Sequence, residues 1–231
     1  MARRPLIDHV LISFRREVNA AQALEAAISQ IPTAVNPQTI HLSLHPKQRL
    51  QVVELAFMGV VGAWEEFLER TLVRYLAGAS SASGSSTTPK YGSANSILHA
   101  YQILSQRANY DPSKHFLKAN DPDWILSTAD FHFHAHPYSV IRPHLELLKQ
   151  GVKIRNRIAH ASQKCRTEFK STALAMLGSP GANLRQGYSP GDLLLTPLAG
   201  GQIGMFNASQ ASNHFERFLA LYLHLANQVA A

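Results

Sequence analysis

Apolar side chains recur three or four residues apart in several segments, which is the spacing of an α-helix with one buried face. The longest such segment spans residues 47–77, and Gly78 follows it as a typical helix-ending residue. Shorter segments predict an N-terminal helix over residues 6–30, a helix over 93–107 and a closing helix over 209–229. No series of alternating apolar positions could build a sheet. The pattern therefore predicts an all-α fold.

Prolines and glycines divide the second half of the chain. Pro137 and Pro143 bracket the entry to a helix that runs toward Lys149, and Gly151 is expected to break or cap that helix. A further helix is predicted from residue 152 to about 177. Two segments lack the helical pattern: the Ser-rich residues 79–88, expected to be a flexible surface loop, and the Gly-rich insertion 178–204, which leaves room for one small hairpin within 190–206.

Length and composition fit one folded domain. The 231 residues are 45% hydrophobic and 16% charged, which excludes disorder as the main state. We expect a single domain over 1–231 with its core at about 47–177. The single cysteine, Cys165, excludes an intramolecular disulfide framework and a Cys-rich zinc site, and it fits a cytoplasmic protein. No apolar run approaches the about 18 residues of a membrane span, so no membrane contact is expected.

The charge of the chain is positive and concentrated. Twenty-two Lys and Arg face fifteen Asp and Glu, a net charge of +7 that favours a polyanionic partner such as RNA. Residues 142–170 alone carry eight bases and two acids, a net charge of +6. A solvated helix face is the alternative explanation of such a run. Four of these bases are the predicted RNA-binding residues: Lys153, Arg157, Lys164 and Arg166.

An Arg-Asn-x-x-x-His motif lies inside this basic segment. On a helix, Asn156 and His160 share a face, whereas Arg155 lies about 140° around the axis from His160. One straight helix therefore does not aim Arg155 and His160 at the same point. Either the long arginine side chain reaches round, or the residues converge with their copies from a second chain in a two-fold dimer.

These residue types suit RNA cleavage without a metal. Histidine can move protons near neutral pH, and arginine stays charged and holds phosphate oxygens. Asn156 could orient the imidazole or bind a phosphate oxygen. The alternative is that His160 packs against or caps a helix and that Arg155 is solvated.

Two strings resemble one known family. RNRIAHAS, residues 155–162, resembles the signature of HEPN-domain proteins, and AFMGVVGAWEEFLERTLVRYL, residues 56–76, resembles the early long helix of their RiboL-PSP-like branch. The resemblance covers residues 47–165 best, and it departs at Ala161, where many relatives have glycine. The Gly-rich insertion has no counterpart.

The resemblance implies an all-α bundle that forms homodimers and cleaves RNA without a metal or another cofactor, in toxin, abortive-infection or RNA-processing roles. It implies Arg155 and His160 as the catalytic pair and Asn156 as the supporting polar residue. Whether an antitoxin or a nucleotidyltransferase-like partner restrains the chain stays open. A HEPN module that binds RNA, a nucleotide or a protein without cleavage is the alternative function.

Two further features have two interpretations each. Glu65 shares a stripe with apolar residues, so it either lies partly exposed beside the stripe or reaches Arg155 or His160 and holds the cation in place. Gly59, Gly62 and Ala63 form a small-residue flank where another helix could approach closely. Three alternating histidines would share one side of an extended segment, which suits either a metal site or loop and RNA contacts: His132, His134 and His136.

Overall fold

A computed structural model describes residues 6–34, 43–81, 83–84, 86–198 and 211–231. Within these ranges the backbone forms eight α-helices and one 3-10 helix: α1 Asp8–Ser29, α2 Pro46–Leu76, α3 Ile97–Ser105, α4 Pro122–His132, the 3-10 helix Pro137–His144, α5 Leu145–Ala159, α6 Gln163–Met176, α7 Pro190–Leu195 and α8 His214–Val229. Extended pairing in these ranges is limited to isolated bridges. The predicted all-α fold is confirmed. None of these helices is long and apolar enough to cross a bilayer.

The segment predicted as one helix over residues 152–177 is two helices. The α5 helix ends at Ala159, and α6 begins at Gln163 after a short turn. Ser162 causes the break because its backbone is extended and its Oγ accepts a hydrogen bond from the Cys165 amide at 3.3 Å. Ser is a preferred residue at this capping position, since it satisfies one of the amides that a helix start leaves unpaired.

Gly151 does not end a helix, as the sequence suggested, but lies inside α5. A Cβ at this position would collide with Oη of Tyr222 and lie 3.3 Å from Cε1 of Phe218. The missing side chain therefore makes room for two aromatic rings. Packing against these rings outweighs the helix-weakening effect of glycine at this position.

Two loop predictions are also corrected. The Ser-rich segment 79–88 is not simply a surface loop, because Ala79, Ser81 and Thr87 are buried. Its small side chains let the backbone turn back on α2, where the Ala79 amide donates to the Arg74 carbonyl at 2.9 Å. The hairpin expected within 190–206 is absent over Pro190–Leu195, which are helical because Ser189 and Asp192 form a capping box. Residues 199–206 lie outside the described residues.

The chain divides into two compact units. The first comprises Met1–Arg16, Ala63–Lys149 and Leu223–Ala231. Its core is aromatic: Trp64 stacks on Phe67 with ring centroids 5.6 Å apart. Tyr138 is fully buried and donates from Oη to Thr71 Oγ1 at 2.9 Å, which pairs two polar groups inside this core.

The second unit comprises Glu17–Gly62 and Gln150–Tyr222. Its core contains Phe57 and Phe218, whose rings meet edge to face at 5.2 Å. Gly191 packs against the backbone of Leu50, since a Cβ on this glycine would lie 2.8 Å from the Leu50 carbonyl oxygen. The Gly191 amide donates to Glu54 Oε1 at 2.8 Å. The assignment of residues 1–231 to a single domain stays a prediction.

Candidate functional site

The Arg-Asn-x-x-x-His motif occupies the end of α5 and the turn that follows, within the second unit. Ile154 is fully buried and anchors the helix, which leaves Arg155 and Asn156 half-buried beside it. His160 is the first residue after the helix. Its amide still donates to the Asn156 carbonyl at 2.9 Å, so its position continues the helical geometry while its side chain is exposed.

Arg155 and Asn156 are joined side chain to side chain. Arg155 Nη1 donates to Asn156 Oδ1 at 2.9 Å. Asn156 lies on the helix face that continues to His160, so this bond draws the guanidinium around the axis in the direction of His160. The convergence of Arg155 and His160 on one point stays a prediction.

Arg157 contacts the backbone of the turn that follows α5. Its Nη1 donates to the carbonyl oxygen of His160 at 3.4 Å. Carbonyl groups at the end of a helix lack partners within the helix, and a cation near them is favourable. Arg157 thereby holds the backbone of the turn, and the imidazole of His160 remains accessible from solvent.

Two of the basic side chains in residues 142–170 form ion pairs with carboxylates outside that segment. In the first unit, Arg142 Nη2 lies 2.5 Å from both carboxylate oxygens of Asp130, and Lys149 lies 2.9 Å from Asp123. The hydrogen bonds from Arg142 and then His136 lower the pKa of Asp130. The net charge of +6 in this segment therefore overstates the charge that is open to a ligand.

The remaining bases surround the motif within the second unit. Lys164 is exposed and lies 3.9 Å from Glu168, a distance that gives only weak attraction. Lys153 and Arg166 form no ion pair with any residue that the structure describes. Among the described residues, all four predicted RNA-binding residues thus carry charge that is open or weakly paired, and Arg157 also contacts the carbonyl oxygen of His160.

Glu65 lies half-buried on α2 in the first unit. Its proposed reach to Arg155 or His160 stays a prediction. The small-residue flank is exposed: a Cβ on Gly59 or Gly62 would meet no described atom within 4 Å. This surface of α2 stays open to close approach.

The three alternating histidines do not form one extended segment. The α4 helix continues through His132, and His134 and His136 follow it in a bend and at the start of the 3-10 helix. In the described residues no three His, Cys, Asp or Glu side chains gather as metal ligands would. Instead, His136 Nε2 donates to Asp130 Oδ1 at 2.9 Å, and burial lowers the pKa of His132.

Fold and site together define a basic, all-α chain with an exposed Arg-Asn-x-x-x-His turn. Comparison of the chain with models of protein families, with curated proteins and with solved structures finds no match. A function for this segment is therefore inferred from the chemistry of its side chains.

Proposed function

We propose that the chain is a metal-independent endoribonuclease of the toxin or antiviral-defence type, which cleaves RNA by attack of a 2′-hydroxyl. The observation that carries this proposal is the hydrogen bond from Arg155 to Asn156 beside the exposed His160. It holds a permanent cation on the helix that leads to His160, whose imidazole can accept and donate protons. The resemblance of residues 155–162 to the HEPN signature supports the same activity.

The reaction divides the roles among these side chains. The His160 imidazole takes the proton of the 2′-hydroxyl, the 2′-oxygen bonds to phosphorus, and the bond from phosphorus to the 5′-oxygen breaks. A proton then passes to the leaving 5′-oxygen, so the products are a 2′,3′-cyclic phosphate and a 5′-hydroxyl. Arg155 stabilises the negative charge on the phosphorane. General acid-base catalysis of this kind contributes about 10² to 10⁴ in rate.

A homodimer would supply the second proton-transfer group. One imidazole cannot accept a proton and donate another at the same moment, whereas a two-fold axis would place two copies of His160 at one groove. The turn is exposed and ends a helix, so it is accessible to a second chain. We therefore propose a composite active site with one histidine from each chain.

Cleavage of a short 5′-labelled single-stranded RNA tests the activity. We expect wild type to cut in excess EDTA and to leave a 2′,3′-cyclic phosphate, and we expect His160→Ala and Arg155→Ala to lose about 10²-fold or more in rate. His9→Ala is the matched control, because His9 is an exposed histidine outside the motif. Loss of cleavage in EDTA, or wild-type rates in the two motif variants, would contradict the proposal.

Mixing experiments test the composite site. If one groove needs two histidines, replacing wild type by inactive His160→Ala chains at constant total protein, with exchange of subunits, lowers the rate with the square of the wild-type fraction. A rate proportional to the wild-type fraction would show that each chain acts alone. RNA that binds to wild type without any cleavage, with binding lost in Arg155→Ala, would instead favour the non-catalytic binding module.

A further inference from the structure

The first unit contains two adjoining cavities of about 420 and 380 Å³, well away in sequence from the Arg-Asn-x-x-x-His turn. These volumes lie within the range of about 300 to 1,000 Å³ that is usual for small-molecule sites. Ile103, Phe131 and His132 line both cavities, so the two form one aromatic cleft. The remaining lining residues are Leu76, Tyr91, Gly92, Leu104, Gln106, Trp124, Ser127 and Thr128.

Two rings of the aromatic cleft face solvent in a fixed arrangement. Tyr91 is 72% exposed and Phe131 is 59% exposed, although large aromatic side chains are normally buried. Their ring centroids lie 5.4 Å apart with an interplanar angle of 38°. The loop that carries Tyr91 is fastened to the end of α4, because the Lys90 amide donates to the His132 carbonyl at 2.8 Å. The two rings of this platform are therefore carried by backbone segments that are hydrogen-bonded to each other.

Polar groups line the same cleft. Gln106, Ser127 and Thr128 can donate and accept hydrogen bonds at its edge. Burial lowers the pKa of His132, so its imidazole is neutral at neutral pH and offers one donor and one acceptor nitrogen. Two neighbouring rings, tilted by 38° to each other, beside mixed donors and acceptors match a nucleobase, which has a π face and a hydrogen-bonding edge.

A cation lies beside the platform. Lys90 Nζ donates to the backbone carbonyl of Asp130 at 2.7 Å, a neutral partner that leaves its charge intact. The carboxylate of Asp130 is already neutralised by Arg142, with Nη2 2.5 Å from each oxygen. Among the described residues, Lys90 forms no ion pair. The charge next to Tyr91 and Phe131 is thus positive, as the phosphate attached to a stacked base requires.

We infer that this aromatic cleft binds an unpaired nucleobase, stacked on Tyr91 and Phe131, with its phosphate near Lys90. The base belongs either to single-stranded RNA or to a free nucleotide, which share this chemistry. The inference goes beyond the proposed cleavage activity, since it concerns residues of the first unit and requires no reaction at His160.

A single-stranded RNA octamer that contains 2-aminopurine tests the inference directly, because stacking quenches the fluorescence of this base. The protein is the His160→Ala chain, so that the RNA stays intact. We expect quenching on binding, and affinities that fall roughly 5- to 150-fold in Tyr91→Ala and Phe131→Ala, the equivalent of about 1 to 3 kcal/mol per stacked base. Tyr91→Phe keeps the ring and retains binding.

Phe116→Ala is the matched control, since Phe116 is 82% exposed and belongs to neither cavity. It should bind as the parent chain does. An octamer with abasic sites carries the same phosphates and should lose the dependence on Tyr91 and Phe131. Competition by adenosine or uridine monophosphate that requires the two rings would assign the cleft to free nucleotides, whereas a requirement for the octamer would assign it to RNA.

Equal affinities in Tyr91→Ala, Phe131→Ala and Phe116→Ala would overturn the inference. So would an abasic octamer whose affinity falls in the two ring variants as much as that of the intact octamer. The cleavage assay remains separate. If wild type cleaves RNA and the ring variants bind normally, only the proposed nucleobase site is contradicted. If binding depends on the rings but wild type does not cleave RNA, only the proposed nuclease activity is contradicted.

Discussion

Arg155 and Asn156 are neighbours in the chain, and their side chains are joined by a hydrogen bond of 2.9 Å at the end of α5. The bond couples the permanent cation of the motif to the helix face that leads to His160. Asn156 Oδ1 accepts this bond, and its amide Nδ2 is the group that can donate to a phosphate oxygen. We therefore propose that Asn156 positions Arg155 and offers its Nδ2 hydrogens to the phosphate.

We expect Asn156→Ala to lower kcat about 10-fold or more while KM changes less. A hydrogen bond to a charged group contributes about 1.5 to 3 kcal/mol, and its loss lets the guanidinium leave the position that the transition state needs. Steady-state cleavage of a defined RNA measures both constants. Asn183→Ala is the control, since Asn183 accepts a hydrogen bond from Lys170 at 3.1 Å outside the motif. A purely structural role for Asn156 would reduce the amount of folded protein and leave kcat of the folded fraction unchanged.

The ion pairs of the Lys and Arg side chains predict which of these side chains bind phosphate. We expect Lys153→Gln and Arg166→Gln each to reduce the slope of log affinity against log salt by about 0.7, the value for one phosphate contact on a single strand. Arg142→Gln should leave the slope unchanged, because Asp130 already neutralises Arg142. Titrations of RNA at four salt concentrations measure the three slopes. Equal reductions in all three variants would show that each positive charge contributes to RNA binding whether or not it is paired with an acid, and would contradict this prediction.

The helices were predictable because their signal is local. The periodicity of residues 6–30 and 47–77 predicted α1 and α2 to within two residues at each end, since one buried face imposes its spacing on the sequence. Boundaries set by a single side chain were not predicted. Ser162 divides the expected helix over 152–177 by capping the start of α6. The apolar pattern continues on both sides of Ser162, so the pattern alone does not reveal this boundary.

Features that depend on side-chain rotamers or on contacts between distant segments could not be predicted. The motif at Arg155 was visible in the sequence, whereas its bond to Asn156 depends on the rotamer that the folded helix favours. The pairing of Arg142 with Asp130 joins the 3-10 helix to α4 and changes the charge available to a ligand. The exposed platform of Tyr91 and Phe131 has no spacing signal, because the two rings come from a loop and a helix forty residues apart.

Two glycines in helices should respond to alanine in opposite directions. Gly151→Ala places a Cβ against Tyr222 and Phe218, and overpacking of this kind destabilises by about 1 to 3 kcal/mol. Gly59→Ala meets no described atom within 4 Å and should stabilise by about 1 kcal/mol, the difference in helix propensity. Urea unfolding measures both. Combining Gly151→Ala with Tyr222→Phe should recover part of the loss, and strictly additive effects would contradict the contact with Tyr222.

His214 should make the fold sensitive to acid. It is 1% exposed at the start of α8, and burial, with a smaller contribution from Arg217, lowers its pKa from 6.5 to about 4. Its Nδ1 has no hydrogen-bond partner among the described residues, so no hydrogen bond at this nitrogen favours the protonated form.

As the pH falls below 6.5, the unfolded chain binds a proton that the folded chain does not, and the free energy of unfolding decreases until the folded pKa of about 4 is passed. Between pH 7.5 and 5 this linkage removes about 2 kcal/mol. We therefore expect urea unfolding of wild type to lose about 2 kcal/mol more over this interval than His214→Gln loses, whatever the absolute stability of the variant. The exposed His134→Gln serves as the control and should follow wild type. If wild type and His214→Gln lose stability in parallel, the acid sensitivity lies elsewhere in the chain, and His214 is protonated without cost to the fold.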